Sequence, residues 1–123
     1  MKKKKTLGKL IQDAQKVFNK WIRERDKGKP CISCGAFNTL QAGHYFAVGG
    51  YAGLRFDEDN VHGECARCNC WDESHLIGYG VNLEKRIGQE NVLKLHHRAA
   101  EYKRNGYRFS RSEVLDIIEK YKL

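Results

Sequence analysis

The amino-acid sequence predicts an α+β fold, a small zinc-braced strand, strand, helix core flanked by an N-terminal helix and C-terminal helices. Three observations predict it. Two C-x-x-C pairs, Cys31 with Cys34 and Cys65 with Cys68, bracket a segment of 30 residues. That segment holds two short runs compatible with strands, and the chain on either side repeats apolar residues at helical spacing. At 123 residues and 14.2 kDa, one domain is the default. Within it a basic arm over 1–5 precedes a helix over 6–27, a zinc core over 30–77 and a helical C-terminal part over 81–123.

The first helix reads from Thr6 to Asp26. Leu7, Leu10, Ile11, Ala14, Val17, Phe18, Trp21 and Ile22 recur at three and four, the opposite face is basic, Thr6 is an N-cap, and Gly28 and Pro30 mark the stop. Packing on the domain is the ordinary use of such a stripe, with a membrane surface as the alternative. Strands are expected over 40–46 and 61–64. A Gly-rich stretch from Gly49 to Gly53 and an acidic turn, Asp57-Glu58-Asp59-Asn60, separate them in a wide hairpin. Cys68 and Asn69 open a helical stretch expected to break near Gly78 or Gly80. Another helix is expected over 82–87 with Gly88 as its C-cap. A further helix carries Val92, Leu95 and Ala99, and a last one starts at the capping box Ser110-x-x-Glu113.

Composition narrows the class of protein. With 41% hydrophobic and 31% charged residues the chain reads as a folded, soluble protein. No run approaches the roughly 18 apolar residues of a membrane span, and no secretory h-region follows the lysines, so a cytoplasmic protein is expected. Charge is uneven. Residues 1–29 carry eleven Lys/Arg against three acids, residues 30–80 two against six, and residues 81–123 ten against six. Basic flanks suit a polyanion such as DNA, and an acidic middle suits a divalent cation held near phosphate; solvated helix faces and a free lysine arm are the bland alternative.

Five cysteines without a signal peptide argue against a disulfide framework. Two C-x-x-C pairs offer four thiolates to one tetrahedral ion, so Cys31, Cys34, Cys65 and Cys68 are expected to hold a structural Zn2+. Cys70 is left over, with a small apolar role in the following helix. Between the pairs, His44 falls on the first strand and Asn60 at the turn into the second. Asn69 follows the last thiolate. Phosphodiester hydrolysis needs a base for water, a group that orients the base, and a divalent ion on the phosphate oxygens. His44, Asn60 and a cation near Asn69 match those needs.

At these residues the sequence resembles the HNH, or ββα-metal, nucleases. The likeness narrows over Cys31-Ile-Ser-Cys34-Gly35, Ala42-Gly43-His44-Tyr45, Leu54-Arg55-Phe56, Asn60-Val61-His62, Cys65-x-x-Cys68-Asn69 and Arg86-Ile87-Gly88-Gln89-Glu90. In this order they resemble the NinG family of lambdoid phages, also called Rap, recombination nucleases that cut branched DNA. The resemblance runs from about Lys9 to Tyr121 and is thin after Leu95. It implies zinc on the four cysteines, His44 as general base, Asn60 as the central Asn, and Mg2+ or Mn2+ as the catalytic ion. Either Asn69 or His75 is implied as its ligand, His75 standing where the family tends to carry Asn in a Ser-Gly-Asn string. Many HNH enzymes place an acidic or His ligand before the base, where this chain, like the phage family, has Gly43; Asp72, Glu73, Asp59 and His62 are the candidate replacements.

The implied substrate is branched DNA such as Holliday junctions or D-loops, in a host cytoplasm. Symmetric resolution would call for two active sites, hence a homodimer, with the first helix as its surface. Family members carry a further cysteine-bearing, charged N-terminal region that this chain lacks; Lys2, Lys3, Lys4 and Lys5 are expected to do part of that electrostatic work. Arg55 is expected to contact phosphate, the alternative being a salt bridge with Asp57 or Glu58. Tyr45 is either a stacking platform for an unpaired base or core. His96 and His97 read as surface residues. A catalytically silent zinc-ribbon DNA-binding protein is the rival reading, and a protein-interaction module using the terminal helices a third.

Overall fold

A computed structural model describes residues 3–72 and 74–123 of the chain. Lys2, expected to bind DNA, and Glu73, one of the candidate metal ligands, lie outside the described residues. Helix α1 spans Leu7–Arg25; the Thr6 hydroxyl accepts the Lys9 N–H at 3.1 Å and caps it. Leu10, Ala14, Phe18 and Ile22, each four residues from the next, form its buried face. They pack on Phe56 and Val61 and on Val114 and Tyr121, the last two from the helix that closes the chain, Arg111–Tyr121. Phe18 meets the Tyr121 ring edge-on at 4.8 Å. The apolar face of α1, offered as a dimer surface, is covered by the chain's own C-terminal helix.

The two strands, β1 (Leu40–His44) and β2 (Val61–Cys65), pair antiparallel with Leu40 opposite Cys65, Gln41 opposite Glu64, Gly43 opposite His62 and His44 opposite Val61. The first strand stops at His44 and not at Phe46. Its continuation is diverted by Asn60, whose side chain accepts the Phe46 N–H at 2.8 Å and donates to the Phe46 carbonyl at 3.0 Å, replacing a ladder partner.

Beyond the hairpin, Arg67–Trp71 form a single π-helical turn, and α2 runs over His75–Ile87. The sequence expectation of a break at Gly78 or Gly80, with a separate helix over 82–87, is corrected: the break is at Asp72, and α2 continues through both glycines. Asp72 is extended, and its carboxylate accepts the Ser74 N–H at 2.9 Å and the Ser74 hydroxyl at 2.8 Å, which stops the turn locally. Gly78 serves close approach, since a Cβ there would lie 2.0 Å from the Ser33 carbonyl oxygen. Gly88, at φ 87°, turns the chain into α3 over Gln89–Asn105.

Helices α2 and α3 enclose a second apolar cluster of Ile32, Leu54, Tyr79, Leu83, Leu95 and Ala99. Tyr45 and Phe46 pack against it; Tyr45 lies 5.2 Å from the Tyr79 ring, so its core alternative describes it. The last helix, α4, over Arg111–Tyr121, has the expected capping box between Ser110 and Glu113. Asp26, fully buried beyond α1, accepts the Gly63 N–H at 2.7 Å and the Arg25 Nε at 2.8 Å, fastening α1 to β2. No described helix is long and apolar enough to cross a membrane.

Candidate metal and catalytic centre

Cys31, Cys34, Cys65 and Cys68 come together at the base of the hairpin, their sulfurs all within 4.8 Å of one another. This set is able to hold a zinc ion. Cys34 and Cys65 sulfurs are 3.8 Å apart, and the Cys65 N–H points at Cys31 Sγ from 3.3 Å. Burial works against a charged Cys31, but backbone N–H groups of Cys65, Cys34 and Ser33 prevail and bring its thiol down to about 7. Burial and neighbouring sulfurs push Cys68 strongly upward. Four thiols this close cannot all ionise without a cation among them, which is the charge a zinc ion supplies. Cys70 is exposed, its thiol 3.5 Å from Gln41 Oε1, and the expected apolar role is corrected.

His44 ends β1. Its Nε2 lies 3.0 Å from the Arg55 carbonyl oxygen, which can only accept, so Nε2 carries the proton and Nδ1 is left as the basic nitrogen. Burial, joined by the positive charge of Arg55, lowers its pKa below 6.5 against the opposing bond to the Arg55 carbonyl, favouring the neutral ring. The Arg55 guanidinium donates to Gln15 Oε1 at 3.1 Å and has no carboxylate partner among the described residues. The acids offered as its alternative partners are engaged elsewhere: Asp57 with Arg98 at 3.0 Å, and Glu58 with the Tyr121 hydroxyl at 2.7 Å.

Asn60 is fully buried. Besides holding Phe46 it donates to the Leu54 carbonyl at 3.2 Å, so one side chain spans the wide loop and sets the backbone that carries the Arg55 carbonyl. Asn69 lies in the π turn, donating to Gln41 Oε1 at 2.8 Å. His75 opens α2 with Nδ1 2.5 Å from Glu64 Oε2. Strand alternation puts Gln41, Gly43 and Glu64 on the α2 side of the hairpin and His44 on the other. Asn60 and His44 are therefore joined through the loop backbone, whereas Asn69 and His75 each have a separate partner.

Of the other candidate ligands, Asp72 caps Ser74, Asp59 lies 3.6 Å from Arg98, and His62 is buried against Tyr79. Lys5 pairs with Asp13 at 3.0 Å, while Lys3 and Lys4 are exposed. His96 and His97 are exposed as expected, although His96 also meets the Phe46 ring at 5.1 Å. Two features escape sequence reasoning. Glu64 is wholly buried against His75, visible only once the register is known. A groove of about 680 Å³ is lined by Arg23, Lys27, Lys29, Phe37, Asn38 and Thr39, and its aromatic is 75% exposed.

Comparison with known proteins gives a consistent result. The family model described as Bacteriophage Lambda NinG protein matches residues 1–123. Protein ninG of Escherichia phage 933W is 42% identical over 113 residues, covering 90% of this chain and 54% of that protein. The proteins of the same name from Escherichia phage lambda and Salmonella phage P22 are 40% and 39% identical over 113 residues, each covering 90% of this chain and 53% of the relative. The chain thus spans about half the length of these relatives. No solved structure matches it.

Proposed function

The chain belongs to the NinG family, and from that premise we propose that it is a metal-dependent DNA endonuclease of the HNH type, acting on branched recombination intermediates such as Holliday junctions and D-loops. The observation that carries the reading is the placement of His44: its Nε2 donates to the Arg55 carbonyl at 3.0 Å, which leaves Nδ1 to take a proton, and burial shifts the ring toward its neutral form. A general base for water must be neutral and oriented; the Arg55 carbonyl orients His44, and burial favours its neutral form. Asn60 acts through the loop backbone as the positioning residue. Arg55, whose guanidinium has no acidic partner among the described residues, is a cation for the scissile phosphate.

A bound Mg2+ or Mn2+ would supply Lewis-acid stabilisation of the leaving oxygen. Either Asn69 or His75 is offered to hold it, both on the α2 side of the hairpin. In-line displacement places the attacking and leaving oxygens on opposite sides of phosphorus, so the base and the metal ligands need not touch. The four-cysteine site has a separate duty, clamping the base of the hairpin.

The test is cleavage of labelled linear, nicked, flapped and four-way DNA with Mg2+ or Mn2+. His44→Ala should abolish cutting with DNA affinity and zinc content nearly intact, and Asn60→Ala should slow it. Equal cutting by the wild-type and His44→Ala proteins would remove His44 from the reaction. No cutting of any form would favour the silent zinc-ribbon DNA-binding protein, for which the thiolate cluster and basic flanks suffice.

A further inference from the structure

We infer that Glu64 and His75 form a divalent-cation site of this chain, with the Glu64 carboxylate occupying the space that Gly43 leaves open on the facing strand. For what the cation does, this assignment rests on the nuclease reading; for where it binds, it does not. Glu64 has no exposed surface, an uncommon state for a carboxylate. Its Oε2 receives the Ser33 hydroxyl and faces His75 Nδ1 at 2.5 Å, whereas Oε1 has no hydrogen-bond partner among the described residues. A buried carboxylate oxygen without a partner is costly, and a cation beside it removes the cost.

The backbone makes room for this arrangement. A Cβ at Gly43 would lie 2.2 Å from Glu64 Oε1 and 2.8 Å from Glu64 Cβ, so any side chain there would drive the carboxylate out. Tyr79 fixes the same peptide, donating its hydroxyl to the Gly43 carbonyl at 2.7 Å. The site also has a path to solvent, because the His75 side chain is 18% exposed at the start of α2. One carboxylate and one imidazole suit Mn2+ better than Mg2+, which prefers an all-oxygen shell. Water and phosphate oxygens are the class of ligand left to complete the shell. The bound ion would stand beside the residue that precedes His44, at the end of β1 where the proposed chemistry occurs.

Mn2+ binding to the zinc-loaded full chain, followed by electron paramagnetic resonance without DNA, tests the assignment. One Mn2+ site is expected in the wild type, weakened at least tenfold by Glu64→Gln and by His75→Gln, and unchanged by His97→Ala. Gly43→Asp combined with Glu64→Ala should recover binding by delivering a carboxylate to the same space from the opposite strand. Zinc content and circular dichroism show whether the buried variant has folded; His75→Gln, at a helix start, keeps the test decisive if it has not. Equal Mn2+ affinity in the wild type and both Gln variants overturns the inference, and if such variants still cut DNA the nuclease reading survives it. Glu64-dependent Mn2+ binding in a protein that cuts no DNA upholds the site and removes the nuclease reading.

Discussion

At the scale of single residues, His44 shows how a ring's surroundings set its chemistry. Burial and the adjacent Arg55 charge lower its pKa below 6.5, while the Arg55 carbonyl bond opposes them. A base works in its deprotonated form, so cleavage should hold as pH falls through 6.5 and fail only at more acid pH. Nuclear magnetic resonance titration of the His44 imidazole should give the same inflection. Arg55→Gln removes the charge that helps burial lower it and should move the inflection upward; an inflection unmoved by that substitution would leave burial as the sole cause. His44 and Asn60 are legible in the sequence as residue types, but not their connection, which runs through a loop backbone. Glu64 is less legible still. Gly43 reads in sequence as a missing ligand, and only the register reveals that it admits a carboxylate from the facing strand.

At the scale of elements, signals whose partners are local are legible in the sequence, and those whose reason is distant are not. Thr6, the Ser110 and Glu113 box and Gly88 are caps whose partners lie within four residues, so sequence suffices to find them. Gly78 looks like a helix breaker by the same local logic, yet its reason is the Ser33 carbonyl, distant in sequence. Replacing Gly with Ala inside a helix ordinarily stabilises by about 1 kcal/mol. Gly78→Ala should instead destabilise by about 2 kcal/mol, because the new methyl meets backbone that cannot rotate away. Urea unfolding of the zinc-loaded protein checks the sign, and a gain in stability would mean that the α2 contact with the Ser33 loop is looser than the backbone geometry requires.

The four-cysteine cluster is the other element-scale case, legible because each half of the set is a local C-x-x-C pair. Cys65 ends β2 and Cys31 receives its N–H, so the ion would join the strand to the loop before it. Cys65→Ser should reduce zinc content and loosen the hairpin, visible as faster amide exchange over Leu40–His44 and Val61–Cys65. Cys70→Ser should do neither, since that thiol is exposed and outside the cluster. Equal zinc retention in both variants would show that the cluster is no metal site.

Over the whole molecule, a net charge of +8 would suit a polyanionic partner, and the fold offers a second place for it besides the lysine arm. The lysine arm attracts attention because its charges are consecutive. Lys5 nevertheless pairs with Asp13 at 3.0 Å, which spends part of its charge within the chain. Arg23 and Lys27 are exposed, have no acidic partner among the described residues, and line the groove that carries Phe37. An exposed aromatic beside unpaired cations is the combination that binds a phosphate backbone and stacks a splayed base. Each phosphate contact contributes about 0.9 to the slope of log affinity against log salt on duplex DNA. The Arg23→Ala, Lys27→Ala double variant should therefore flatten that slope by about 2, whereas Lys5→Ala should change it by less than one contact. Phe37→Ala should leave the slope alone and weaken branched DNA more than linear duplex, because stacking needs an unpaired base and carries no charge. Fluorescence anisotropy across a salt series separates the three effects, and a double variant with the wild-type slope would return the charge to the arm.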